Sequence, residues 1–225
     1  MIKEINVLIV DDHPFIIEAY QTAFNELESL DRFTKYTIVT ATNADEALTT
    51  INEANGSDNF DLIVLDMCLP KVKNRLIFSG EDIGRIFKYK YPNGKMIVIT
   101  ALKDNFRLNS ILDMLDPDGL LIKSDINMKQ LKDSFKTVLN DPPCYSKTVL
   151  RLIRKTIDND FVIDGIDKQL LYLLSIGVKM KDISSTMHLS ISGLERRKRQ
   201  LKETFKGDVN DNRTLIELAR EKGFI

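Results

Sequence analysis

Five short runs rich in Ile, Val and Leu, each followed by a segment with helical spacing, constrain this chain more than any other feature. They are INVLIV at residues 5–10, YTIVTA at 36–41, DLIVLD at 61–66, KMIVIT at 95–100 and GLLIK at 119–123. Runs this short and this apolar fit strands covered on both faces. After the first, Ile16, Tyr20, Phe24 and Leu27 recur at helical spacing. After the second, Asn43 and Glu46 stand three residues apart, as in a helix-capping box. Further helical patterns cover about residues 80–91, 104–115 and 127–139. Parallel strands need crossover connections, so five such alternations predict an α/β fold: a five-stranded, doubly wound parallel sheet with helices on both faces.

The rhythm breaks at NDPPCYS, residues 140–146. Four or five short helical patterns follow it, without a convincing strand. We therefore expect a boundary at about 140–147, with a first domain over 1–140, a linker and linker helix over 141–160, and a small all-α domain over 161–225. Charge divides at the same place. Residues 146–225 carry 16 Lys and Arg against 11 Asp and Glu, a net +5, whereas residues 1–145 carry 16 against 22, a net −6. An acidic domain joined to a basic one suggests an anionic partner for the second. No apolar run approaches the ~18 residues of a membrane helix, and the N-terminus MIKEINVLIVDD runs directly into strand pattern rather than a signal peptide. Two cysteines, Cys68 and Cys144, without metal spacing give neither a disulfide framework nor a zinc site. A cytoplasmic protein is expected.

Asp66 is the awkward residue. It ends the buried run DLIVLD, and Pro70 forbids the strand from continuing. In a doubly wound sheet, functional groups gather at the carboxyl ends of strands. Four of the five strands end in suitable residues: Asp11 and Asp12, Asp66, Thr100, and Lys123. Carboxylates brought together repel one another unless a cation joins them. A hard ion such as Mg2+ takes oxygen ligands and would draw a phosphoryl donor toward Asp66. Asp66 would then be the nucleophile that forms an acyl phosphate, with Lys123 and the Thr100 hydroxyl holding phosphoryl oxygens.

At these residues the chain resembles the receiver domain of two-component response regulators, which has a flavodoxin-like fold. The likeness covers about residues 4–140 and rests on IVDDHP, VLDMCLP, VITA and IKSD. It implies that Asp12 and Asp66 bind the metal directly together with the main-chain carbonyl of Cys68, that Asp11 acts mainly through water, and that Asp66 is the phosphoacceptor. His13 reads as a local hydrogen-bonding residue. The family glycine about eight residues past the acceptor stands here at Gly80, fourteen past Asp66, implying about six inserted residues within KVKNRLIF, 71–78. Leu120 occupies the place of an aromatic switch residue, and Cys68 and Leu102 stand where the family tunes phosphate lifetime.

In the basic half, Met180, Ile183 and Met187 share one face of a short helix, and Ser190 or Ser192 is placed to cap the next. Leu194, Leu201 and Phe205 then form an apolar stripe, while Arg196, Arg197, Lys198, Arg199 and Lys202 crowd the remaining surface. Two short helices joined by a tight turn, the second basic, form a helix-turn-helix pattern. Four consecutive cations repel without an anionic partner. From about 163 to 225 the chain resembles the LuxR-type DNA-binding domain, which follows a receiver in the subfamily named for NarL. The likeness places Arg196 and Arg199 at base edges, and Lys181 and Arg197 at phosphates. Lys202 adds to the basic surface, and Glu195 replaces a common DNA-contacting lysine. The whole reads as a response regulator, not an enzyme in its own right. A sensor histidine kinase would phosphorylate it in a Mg2+-dependent reaction, and it would act as a homodimer on double-stranded DNA, away from membranes. The alternatives are a receiver coupled to an RNA- or protein-binding module, or an aspartyl-phosphate phosphatase; that chemistry places an acid where Cys68 stands.

Overall fold

The computed structural model describes residues 2–54, 59–70, 79–205 and 211–225. The insertion expected at 71–78 lies outside them. The chain divides into two compact units, residues 1–102 with 111–149, and residues 103–110 with 150–225.

The expected alternation is present: β1 (Lys3–Val10), α1 (Pro14–Leu30), β2 (Thr34–Ala41), α2 (Ala44–Glu53), β3 (Leu62–Leu65), α3 (Gly80–Lys90), β4 (Lys95–Thr100), α4 (Asn105–Leu115, of which residues 105–110 group with the second unit), β5 (Gly119–Ile122) and α5 (Met128–Asn140). The sheet departs from expectation in having six strands, in the order β2-β1-β3-β4-β5-β6, all parallel. The sixth, β6 (Cys144–Tyr145), comes from the segment read as linker. Two residues carry no periodicity to detect; β6 exists because Cys144 N–H donates to the Asp118 carbonyl and Ser146 N–H to that of Leu120.

Burial explains why the central strands read as unbroken apolar runs. Every residue of β3 and β5 is buried, while the edge strand β2 alternates and is largely exposed. Phe24 of α1 and Phe135 of α5 stack with centroids 4.2 Å apart, and Tyr20 meets Phe135 edge-on. These rings close one face of the sheet, and each such fully buried ring removes enough apolar surface to contribute a few kcal/mol.

The helices start where local chemistry lets them. Pro14 supplies a helical φ and no orphan N–H at the start of α1. Full capping boxes pair Ser79 with Asp82 at α3 and Asn127 with Gln130 at α5. The expected box at α2 is only half formed. Asn43 accepts from the Glu46 amide, but the Glu46 carboxylate turns to the amide and hydroxyl of Thr42.

A helix of 11 residues, α6 (Lys147–Ile157), follows β6, and the division of the chain at 149/150 falls within it. The second unit continues with α7 (Gly165–Ser175), α8 (Met180–Met187), α9 (Ile191–Thr204) and α10 (Asn212–Glu221). Leu170, Leu171, Ile183, Leu194, Leu201, Phe205 and Leu215 form its buried core. The apolar stripe expected on α9 is thus the face turned inward. No described helix is long and apolar enough to cross a membrane.

Candidate functional site

The strand order reverses between β1 and β3, and in doubly wound sheets functional groups gather beyond the carboxyl ends of strands at such a point. Register decides what sits there. Val10 pairs with Leu65, so one step further along both strands brings Asp11 beside Asp66. Thr100 pairs with Ile122 at the ends of β4 and β5, which sets Lys123 next in line. Residues up to 112 positions apart in sequence therefore converge.

Asp11 and Thr100 are fully buried and Asp66 nearly so. Lys123 Nζ donates to Asp11 Oδ2 and to Asp66 Oδ2, each at 2.7 Å. Burial is the largest single influence on this ammonium and depresses its pKa. The hydrogen bonds and charges of the two aspartates outweigh it and hold the group above an ordinary lysine. The other oxygens are also placed: Asp66 Oδ1 accepts from the Cys68 amide at 3.1 Å, and Asp11 Oδ1 from the His13 amide at 3.0 Å. Thr100 Oγ1 accepts from the Leu102 amide at 3.2 Å and lies 3.9 Å from Cys68 Sγ, within reach of a weak hydrogen bond.

Ligand atoms from Asp11, Asp12, His13 and Asp66 lie within 4.8 Å of one another, close enough to share one cation. Asp12 Oδ1 is buried without a hydrogen-bond partner among the described residues. His13 Nδ1 lies 2.8 Å from it but out of hydrogen-bond geometry. An orphaned carboxylate oxygen beside two further carboxylates suits a hard cation, because burying it unpaired is costly. The aspartate cluster thus fits a divalent ion. His13, 65% exposed and also near Asp11, behaves as a local partner of the acidic pair.

Two further residues shape this pocket, Gly80, already marked by the resemblance, and Tyr20. Gly80 opens α3 directly against the acceptor loop: a Cβ there would lie 2.8 Å from Met67 Cα and 2.9 Å from the Asp66 carbonyl oxygen, both backbone atoms that cannot yield cheaply. Tyr20, legible only as part of an apolar stripe, lies under the acids. Burial first, then the charges of Asp11 and Asp66, push its phenol far up and keep it neutral. Leu120 is wholly buried in β5 and stands in register with Val98 and Tyr145.

On the second unit, Ser190 rather than Ser192 caps α9, accepting from the Gly193 amide at 3.1 Å. His188 takes a left-handed conformation, φ 52°, to make the turn from α8. Lys181, Glu195, Arg196 and Arg199 are exposed, and Lys202 is half-buried. The run of cations is not uniform. Arg197 turns back to α7 and donates to Asp164 at 2.8 Å and Asp167 at 2.9 Å, while Lys198 pairs with Glu195 at 2.7 Å. Acidic partners 30 and 33 residues away thus relieve part of the repulsion that the sequence run implies. Arg196 and Arg199, three apart on α9, lie near one another on its outward surface.

Comparisons with known proteins fall on the same features. Residues 7–136 match the family model of the response regulator receiver domain. A structure of two RcsB dimers bound to two parallel DNAs resembles the chain with a TM-score of 0.62 at 18% identity, over 97% of this chain and 99% of that one. RcsB from Salmonella enterica serovar Typhimurium bound to the P1flhDC promoter, in the presence of the phosphomimetic BeF3-, gives 0.62 at 17% identity, over 96% and 98%. The isolated receiver of that RcsB gives 0.54 at 18% identity and covers 66% of this chain and 98% of that one. A search of curated protein sequences found no match. At such identities the structural likeness is one of fold, and it extends over both units. The receiver match takes in more than half of the chain together with Asp11, Asp12, Asp66, Thr100 and Lys123, and the chain belongs to the response regulator receiver family.

Proposed function

We propose that this protein is a DNA-binding response regulator whose phosphoacceptor is Asp66, served by a sensor histidine kinase and Mg2+, and whose phosphorylated form dimerises and binds promoters. The observation that carries the reading is Lys123 Nζ bridging Asp11 and Asp66 at 2.7 Å each in a pocket where a buried Asp12 oxygen accepts no hydrogen bond among the described residues. Such a site concentrates negative charge and holds a cation against it, which is the arrangement phosphoryl transfer requires.

Mg2+ held by Asp11, Asp12, Asp66 and the Cys68 carbonyl would neutralise phosphoryl charge. The remaining work falls to the protein. An Asp66 carboxylate oxygen forms the new O–P bond as the P–N bond to the donor's imidazole breaks, and the imidazole leaves with the electron pair and a proton from its surroundings. Lys123 exchanges a carboxylate partner for a phosphoryl oxygen, and Thr100 Oγ1 donates to another.

The basic second unit supplies the output. Arg196 and Arg199, exposed on α9, are the base-reading pair, and Lys181 and Lys202 the phosphate contacts. Glu195, paired with Lys198 in the free protein, would accept from cytosine or orient Arg199 once on DNA. Arg197 reaches a phosphate only by giving up Asp164. The RcsB–DNA complexes, alike in fold, support duplex DNA over RNA as the partner class. The test is recovery of genomic DNA fragments on the purified protein with and without a small-molecule phosphodonor. A defined set of sites enriched by phosphorylation is expected. Equal recovery of all sequences in both states, or preference for RNA at fixed salt, overturns the assignment.

A further inference from the structure

The turn that carries Lys123 has a second charged side chain that phosphoryl transfer does not use. Residues Lys123–Asp125 form a single 3-10 turn directly after β5. Lys123 reaches Asp11 and Asp66, while Asp125 gathers the start of the segment that leaves the receiver. Asp125 Oδ2 accepts from the Ser146 hydroxyl at 2.9 Å and from the Thr148 amide at 2.7 Å, and Oδ1 accepts from the Thr148 hydroxyl at 3.0 Å. Ser146, itself buried, closes the circuit by accepting from the Ile122 amide at 3.2 Å. From these contacts we infer that Asp125 is a positioning residue that ties the N-terminus of α6 to the Lys123 turn, so that phosphorylation of Asp66 is felt at α6.

Three physical points support this. The carboxylate sits at the second residue of α6, where an orphan N–H and the positive end of the helix dipole favour an anion; α6 is therefore held from outside by a residue more than twenty positions earlier. Lys123 and Asp125 stand two residues apart in one three-residue turn, so little backbone separates the group that meets the acceptor from the one that holds α6. β6 fixes the same segment to β5 on its other side, through Gly119 with Cys144 and Leu120 with Tyr145. The segment that feeds α6 is thus attached twice to β5 and to the turn after it, and the turn holds the group that must move when Asp66 gains a phosphoryl oxygen.

A simple capping role would stabilise α6 equally in both states, and this sets the test. The inference rests on Asp66 being the acceptor, so phosphorylation is measured separately. Full-length wild type, Asp125→Ala and the milder Thr148→Val are incubated with Mg2+ and acetyl phosphate. The fraction labelled is quantified by intact mass, and backbone hydrogen exchange is followed in peptides spanning residues 144–150. Wild type should show a several-fold change in exchange there on labelling. Both variants should reach the wild-type extent of labelling while that change is largely lost. If both variants keep the wild-type difference, or exchange moves equally in labelled and unlabelled protein, Asp125 is only a cap and the inference fails. Fully labelled wild type with unchanged exchange at 144–150 defeats it as well. Absence of label in wild type defeats instead the assignment of Asp66.

Discussion

In the receiver pocket, side chains from four strand ends meet where Asp11 and Thr100 are wholly buried; on α9, four consecutive cations spread around a helix whose outward members, Arg196 and Arg199, are exposed. Both regions concentrate charge, with opposite physics. Buried charges interact strongly and cost much when left unpaired, so each carboxylate oxygen of Asp11 and Asp66 has a donor, and the Asp12 oxygen left without one suits a cation. Exposed charges interact weakly with each other and remain available to a partner, at the cost of strong sensitivity to salt. One region holds its charges in fixed, mutually satisfied pairs. The other leaves Arg196 and Arg199 open to solvent.

The largest effect expected from this contrast is at Asp66. Asp66→Asn should abolish labelling by acetyl phosphate while the protein stays folded, because an amide cannot form the acyl phosphate. Label at the wild-type level in this variant would remove the acceptor assignment. Chelation of divalent ions should come next, reducing labelling at least tenfold, since roughly 1.4 kcal/mol of lost charge stabilisation already gives that factor. Labelling that proceeds equally in excess chelator would break the claim that the pocket depends on a cation.

On the basic surface the effects should be graded. Arg199→Ala is expected to cost about 1–3 kcal/mol on the preferred site and to relax preference at one base pair. Binding-site selection with wild type, Arg199→Ala and Glu195→Ala checks this; identical selected sequences would take both residues out of base readout. Arg197→Ala should lower the stability of the second unit by about 0.5–1 kcal/mol, the range of partly exposed ion pairs, and change DNA affinity less than Arg199→Ala does. Denaturant midpoints read beside binding curves separate the two. A larger loss of affinity than of stability would mean that Arg197 leaves Asp164 for DNA. The smallest effect belongs to Lys181→Ala, which should weaken all sequences alike and reduce the salt slope of binding by roughly 1. A titration of affinity against salt measures it, and an unchanged slope would exclude a phosphate contact there.

Much of the receiver is legible in the order of its amino acids. Strands β1, β3, β4 and β5 announce themselves because burial on both faces forces apolar runs, and each run ends in the residue that reaches the pocket. Order along the chain is then enough to nominate Asp11, Asp12, Asp66, Thr100 and Lys123. Caps are legible for a similar reason: Ser190 and Asn43 act on amides three residues away, within the range of local pattern. The half-formed box at α2 shows the limit of that reading, since Glu46 has two local donors to choose from and takes Thr42.

What tertiary structure decided depends on partners that sequence spacing does not relate. A two-residue strand such as β6 has no period, and it forms only because the edge of β5 offers it hydrogen bonds. Arg197 and Arg199 read alike in the run ERRKRQ, yet one is drawn to Asp164 and Asp167 and the other stays exposed, because packing of α9 on α7 sorts a helix's residues by face. Asp125 reads as an ordinary acid following the lysine; only the return of residues 144–148 along β5 brings Ser146 and Thr148 to it. The sequence by itself thus determined which strands form and which chemical groups stand at their ends, since burial and local hydrogen bonding act over a few residues. The fold alone decided the long-range pairings, Lys123 with Asp11 and Asp66 through strand register and Arg197 with Asp164 and Asp167 through helix packing, because they form between segments tens of residues apart.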